Sequence, residues 1–280
     1  MISRYLIWRH SRGGIGMSNP LHVVSLYDYT GEALRPWATR GYQCFAYDIQ
    51  HPQSPLSCIG QELHPANVQT FPNGGNIFYI HADLHNFATL REIEQRHTGR
   101  TVFLSAFPVC TDMAVSGAKH FASKAEVNPE FQNEAATHAV LCSVLADSIG
   151  CSWYVENPVS VLSTLWRKPD RTFHPYEFGG YLPADDRHPR YSDHIAPRDA
   201  YSKRTCLWTG GGFTMPATKP VDCVSFGASS QFAKLGGKSA KTKNIRSATP
   251  RGFALAVCLS NQQGIAGIKK DRERDKNEQG

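Results

Sequence analysis

Three kinds of side chain stand where open sheets do chemistry: a cysteine, a glutamate and a row of aspartates, each just after a short apolar run. Cys110 follows Thr101-Val102-Phe103-Leu104-Ser105, in the loop Phe107-Pro108-Val109-Cys110-Thr111-Asp112. Asp112 and Ser116-Gly117 keep its surroundings polar, so a thiol there is open to activation, and the thiolate is the attacking form. Glu156-Asn157-Pro158 closes the next run, Cys151 to Val155. A thiol and a carboxyl group at neighbouring strand ends can grip one planar heterocycle. The sulfur adds to a ring carbon while the acid hydrogen-bonds to, or protonates, a ring nitrogen. Asp48 and Asp83 close two earlier runs. An acid about 20 residues after a strand-turn-helix start is where nucleotide-binding α/β folds hold ribose hydroxyls. Asp83 is placed to accept from an adenine amino group. Strand-end aspartates also serve as caps and turn formers, and that alternative stays open. The turn from Tyr27 to Gly31 is poor in glycine, which disfavours a pyrophosphate and tolerates a cofactor without one.

These residues need parallel strands to bring them to one edge. His22 to Tyr27, Tyr42 to Tyr47, Ile77 to His81, Thr101 to Ser105 and Cys151 to Val155 read as strands. Glu32 to Arg40 fits a helix with Pro36 in its first turn and Gly41 as its stop. Asn128 to Ile149 carries Ala136, Ala139, Val140 and Leu145 at helical spacing, with Gly150 closing it. Residues 50–76 read mostly as loop. The alternation predicts a doubly wound, mostly parallel α/β sheet with ligands beyond the carboxyl ends of its strands, where Asp28, Asp48, Asp83, Cys110 and Glu156 stand.

Residues 1–17 read as a loose extension, 18–163 as the catalytic and cofactor-binding core, and 164–200 as a small irregular insert lobe. In the insert, Trp166, His174 and Tyr176 are candidates either to stack on bases or to pack the lobe. Residues 201–265 return to the core through a strand at Thr205 to Trp208, a basic stretch and a helix from Pro250 to Asn261, and 266–280 form a disordered tail. The basic stretch, Lys234 to Arg251, is either a phosphate-contacting surface or a solvated loop.

A chain of 280 residues with net charge +6 has core enough to fold without staples, and its mild basic excess suits a polyanionic partner. The eight cysteines form no Cys-x-x-Cys pair or zinc cluster. Cys44, Cys142, Cys206 and Cys258 lie in apolar stretches, as free thiols do in a reducing compartment. With no signal peptide or membrane span, a cytoplasmic monomer is expected.

Taken in order, Tyr27 to Gly31, Asp48, Asp83, Pro108-Val109-Cys110, Glu156-Asn157-Pro158, Lys203-Arg204 and Arg246-Ser247-Ala248-Thr249-Pro250 resemble the DNA cytosine-5 methyltransferases, over residues 20–262. The compact format is similar to bacteriophage members, some of which belong to restriction-modification systems. The sequence departs from the family pattern at Val109, between proline and cysteine, at Thr111 after it, and at Tyr29 in place of a glycine. The resemblance implies a Rossmann-like fold, S-adenosyl-L-methionine as cofactor and double-stranded DNA as partner. It implies Cys110 as nucleophile, Glu156 and Asn157 as its acid and loop-shaping neighbour, and Arg204 or Lys203 on the base or its phosphate. Tyr27, Gly31, Asp48, Asp83, Pro108 and Ala248 would border the cofactor. Two other readings stay open: a related pyrimidine-modifying enzyme with another donor or substrate, and a catalytically silent nucleic-acid-binding decoy.

Overall fold

Strands buried on both faces read as near-continuous apolar runs, and β1, His22–Leu26, is buried at every position. The computed structural model describes residues 21–53, 68–223 and 239–262. The further strands are β2 (Gln43–Asp48), β3 (Val68–Thr70), β4 (Asn76–His81), β5 (Thr101–Ala106), β6 (Ser152–Pro158), β7 (Arg171–Phe173) and β8 (Thr205–Gly210). They form one sheet in the order β3-β4-β2-β1-β5-β6-β8-β7. The five strands from β4 to β6 are parallel. β3 and β8 run antiparallel to their neighbours β4 and β6, and β7 is antiparallel to β8.

The helices are α1 (Arg35–Ala38), α2 (Phe87–His97), α3 (Phe121–Val127), α4 (Phe131–Ile149), α5 (Leu162–Leu165), α6 (Ala240–Ser247) and α7 (Arg251–Asn261). Alternate strand residues feed opposite faces. Val24 and Leu26 pack with Leu90 and Ile93 of α2 and with Ala139 and Leu145 of α4. Val23 packs with Trp37 of α1 and with Phe253 and Val257 of α7. Helices therefore cover both faces, the doubly wound α/β arrangement that the alternation of elements predicts. The chain leaves β1 for β2 on one side and returns to β5 on the other. That reversal opens a crevice at the carboxyl ends, where such sheets bind ligands.

Two helices are shorter than the sequence suggests, α1 beginning at Arg35 and α4 at Phe131. α4 ends on Gly150 at φ 80, a left-handed cap that glycine adopts without strain. In the stretch read as an insert, β7 joins the main sheet, and Phe173 stacks on Phe253 at 4.1 Å. Among the described residues no helix is long and apolar enough to cross a membrane.

Candidate active site

Cys110 sits on the loop after β5 and Glu156 near the end of β6, and the two segments are laced together. Pro108, buried and without an N–H, follows the end of β5. The Cys110 carbonyl accepts the N–H groups of Met113 (3.0 Å) and Ala114 (2.8 Å), turning the chain back. Val115 N donates to Val159 O at 3.1 Å, Val161 N donates to Met113 O at 3.0 Å, and Ala114 bridges Ser160. Asn157 Nδ2 donates to Pro108 O at 3.2 Å, tying the end of β6 to the Cys110 loop.

Glu156 is partly exposed as a residue, yet its Oε1 is buried without a partner, as are Asn157 Oδ1 and Ser160 Oγ. Leaving such groups unpaired costs about 1–3 kcal/mol each, and more for a charge. Clustered on β6 and the turn after it, these atoms can take hydrogen bonds from a bound molecule. Burial pushes the Glu156 carboxyl above its usual range, against the pull of Lys203. Burial, then the Glu156 charge, pushes the Cys110 thiol up, and Lys203 again opposes. Burial therefore shifts both groups toward their protonated forms, and removing the Glu156 charge makes the thiolate easier to form.

The cation of this group is Lys203. Arg204 is exposed, and its charge bears on the Cys206 thiol, not on Glu156 or Cys110. Lys203 Nζ also donates to Arg246 O at 3.0 Å, at the end of α6. Asn244 of the same helix donates to Gln50 Oε1 at 3.1 Å, close after β2. α6 thus bridges the two halves of the crevice. Ala248 behind it is 1 % exposed and packs with Ile195, Tyr201 and Ile245, so its side chain belongs to a small core.

The other half lies at the ends of β1, β2 and β4. Asp28 is buried and accepts from Ser25 Oγ (2.9 Å), Thr30 Oγ1 (3.2 Å) and Gly31 N (2.7 Å). Burial nevertheless raises its pKa to about 6. Ser105 Oγ donates to Ser25 Oγ at 3.0 Å, linking this turn to β5. Tyr27 has φ 57, and its hydroxyl points to Leu84 O at 3.5 Å. Gly31 has φ 69, and a Cβ there would meet Tyr79 Oη at 2.6 Å. Asp48 is buried, its carboxyl raised by that burial, and its Oδ1 accepts from Gln50 N at 2.7 Å. Ile49 beside it is 59 % exposed. Asp83 is exposed and accepts from His85 N at 3.0 Å. The His85 ring stacks on His138 at 3.7 Å and lies 6.2 Å from Tyr27.

The structure thus groups Cys110, Pro108, Glu156 and Asn157, and sets Tyr27, Gly31, Asp48 and Asp83 at the neighbouring strand ends. Arg204 and Ala248 stand outside both groups. Ser160, Gln50 and Asn244 join the site with no motif in the sequence to announce them. Of the insert aromatics, Trp166 stacks on Trp208 at 5.9 Å and His174 Nδ1 bonds Ser202 Oγ at 3.0 Å, so both are engaged in packing.

No family model and no curated protein matches the chain. Among solved structures it is similar to a candidate DNA modification methyltransferase encoded within a prophage (E. coli), with a TM-score of 0.36 and 11% identity. The match covers 68% of this chain and 46% of that one, so the chain spans under half the length of that protein.

Proposed function

We propose that the protein methylates carbon 5 of cytosine in double-stranded DNA through a covalent adduct at Cys110. One observation carries the reading. A thiol on the loop after β5 and a buried, unpartnered carboxyl oxygen near the end of the adjacent parallel strand β6 are carried by segments that a hydrogen bond ties together. A flipped-out cytosine would bring what that oxygen lacks. Cys110 would lose its thiol proton to solvent, and as the thiolate adds to C6 a protonated Glu156 would give its proton to ring N3, so that C5 becomes electron-rich. Loss of the C5 proton to a water molecule would later expel Cys110 as thiolate, and the N3 proton would return to Glu156. Lys203 would offset the negative charge on the pair, and Asn157 would hold the loop through Pro108.

The residues at the ends of β1, β2 and β4 suit an adenosine. Asp48 is a buried acid suited to ribose hydroxyls, and exposed Ile49 beside it can cover one face of a ring. Asp83 is open to an amino group. S-adenosyl-L-methionine bound there would supply the methyl group. Exposed Lys119 and His120 after the nucleophile loop, with Lys241 and Lys243 on α6, suit a phosphate backbone. Residues 164–200 would contribute to target recognition.

One observation favours a second reading, the same addition with another donor. Tyr79 fills the space beside Gly31, and Tyr29 stacks on His51 at 5.8 Å, so the first turn offers aromatic rings where an open glycine loop would lie. Mass-spectrometric nucleoside analysis of DNA from expressing cells separates the two. The proposal expects 5-methylcytosine that is absent with Cys110→Ala. A different modified pyrimidine would support the second reading, and unmodified DNA would count against both.

A further inference from the structure

Another unpartnered carboxyl oxygen lies where α1 and α7 pack on one face of the sheet. These helices leave a cleft of about 330 Å³ whose lining includes Glu32, Arg35, Arg40, Leu182, Arg251 and Leu255. That volume is at the small end of ligand sites. The cleft shares no residue with the group around Cys110.

The Glu32 side chain is wholly buried. Its Oε2 accepts from Arg35 Nε at 3.3 Å and lies 3.8 Å from Arg251 Nε. Its Oε1 is buried with no partner. His188, 3 % exposed, does not line the cleft but feels the charges of Arg251 and Arg35 that do. Its Nδ1 accepts the backbone N–H groups of Arg190 (3.2 Å) and Tyr191 (3.1 Å), so the neutral ring carries its proton on Nε2. That Nε2–H is buried and unpartnered. Burial first, then the charges of Arg251, Arg190 and Arg35, hold the His188 pKa down at about 4, so the ring is neutral near pH 7.

The charges and the Glu32 orphan together restrict the ligand. Arg35, Arg40 and Arg251 line the cleft with one carboxylate, Glu32; Asp186, whose Oδ1 accepts from Arg251 Nη1 at 2.7 Å, and the buried Asp199 also pull on Arg251 but do not line it. Among the lining residues cations exceed carboxylates, so the cleft favours an anion. That anion must nevertheless donate a hydrogen bond, because an ionised carboxylate oxygen can only accept. Sulfate and carboxylates lack that donor. A protonated phosphate group has both halves, oxygens for guanidinium groups and one acidic O–H for Glu32 Oε1.

We propose that the cleft between α1 and α7 binds a phosphate group carrying an acidic O–H, as inorganic phosphate or as a monoester such as a mononucleotide. A phosphodiester has no such hydrogen, so this site is not part of a DNA-backbone surface. The inference does not depend on methyl transfer and is tested by binding alone.

The test is calorimetric titration of the full chain at about pH 6, where a phosphate monoester is about half protonated. Inorganic phosphate, deoxycytidine 5′-monophosphate and sulfate are compared at one ionic strength. Saturable binding of phosphate and the nucleotide is expected, with sulfate roughly tenfold weaker or worse for want of one charge-assisted hydrogen bond. A tighter nucleotide would identify a monoester as the ligand, and equal affinities would identify phosphate itself. Glu32→Gln, whose amide can donate, is expected to bring sulfate to within about threefold of phosphate, removing most of that one-bond preference. Arg40→Ala, at an exposed position, keeps the proposal testable if the buried variant unfolds, and is expected to weaken phosphate roughly tenfold. Equal heats from phosphate and sulfate in the natural chain would overturn the proposal. So would unchanged phosphate affinity in Arg40→Ala.

Discussion

Asn157 reaches across from the end of β6 to donate to the carbonyl of Pro108 at 3.2 Å, so the strand carrying Glu156 holds the loop carrying Cys110. The bond fixes one distance above all, that between the acid and the sulfur. Asn157→Asp keeps the size and loses the donor. It should cost about 1–3 kcal/mol in urea unfolding, the range for leaving a buried acceptor unpaired. Single-turnover methyl transfer should fall about a hundredfold, as expected when a reacting group is misplaced by about an ångström.

Lys203 and Arg204 should separate cleanly. Lys203→Met removes the charge that bears on both Cys110 and Glu156, and should lower the rate about tenfold to a hundredfold by weakening electrostatic support for the pair. Arg204→Met, at an exposed neighbour, should leave kcat within about twofold, as surface changes usually do. Rate constants on one duplex check both. Equal losses would mean that the two cations share the role.

The pH profile follows from the raised pKa values of the pair. In the proposed reaction Glu156 gives its proton to N3, so the competent fraction falls as pH rises through its elevated pKa. Cys110 must lose its proton, so the rate rises with pH on the other limb. Glu156→Gln removes the first limb and should lower the maximum about a hundredfold to ten-thousandfold, the usual range for general acid catalysis. A profile that keeps both limbs in the variant would assign the acid elsewhere.

Stability should respond to pH through a buried histidine chain away from the site. His22 Nδ1 and His97 Nδ1 are 3.0 Å apart, and Tyr47 Oη is 2.8 Å from His97 Nε2. Burial, then Arg100 and Arg96, lowers the His22 pKa from 6.5 to about 4. Between those values the unfolded chain binds the proton and the native chain does not, so stability drops as pH falls from 6.5 toward 4. Asp199 works in the opposite sense. Its pKa rises to about 7, so its contribution is full below the unfolded value of 3.8 and is lost as pH rises through 7. Urea midpoints across this range should show a shallower acid slope for His22→Gln and a gain confined to higher pH for Asp199→Asn.

The parallel strands and their chemistry-bearing ends were legible because a central parallel strand is a continuous apolar run that stops where polar residues begin. Cys110, Glu156, Asp48 and Asp83 each follow such a stop. Lys203 against Arg204 was not legible, since which of two consecutive residues faces the site depends on where the strand begins. α6 was hidden for another reason. Ala240–Ser247 buries only Thr242 and Ile245, and the helix is held by the Ser239 cap and two tertiary hydrogen bonds. α2 did carry a signal, an Asn86 cap followed by Leu90, Ile93 and His97 at helical spacing. The positive φ of Arg198 (54°) and Asp199 (51°) has none, because the buried Asp199 carboxylate bonding Gly252 N at 2.8 Å is a long-range contact.

The most direct test of the central claim is intact-mass analysis of the protein with S-adenosyl-L-methionine and a duplex containing 5-fluorocytosine, whose fluorine blocks release of the adduct. A protein–DNA species mapping by peptide analysis to Cys110, and missing in Cys110→Ser, is the predicted result. Methylated product formed equally by Cys110→Ser, or an adduct at another cysteine, would contradict it.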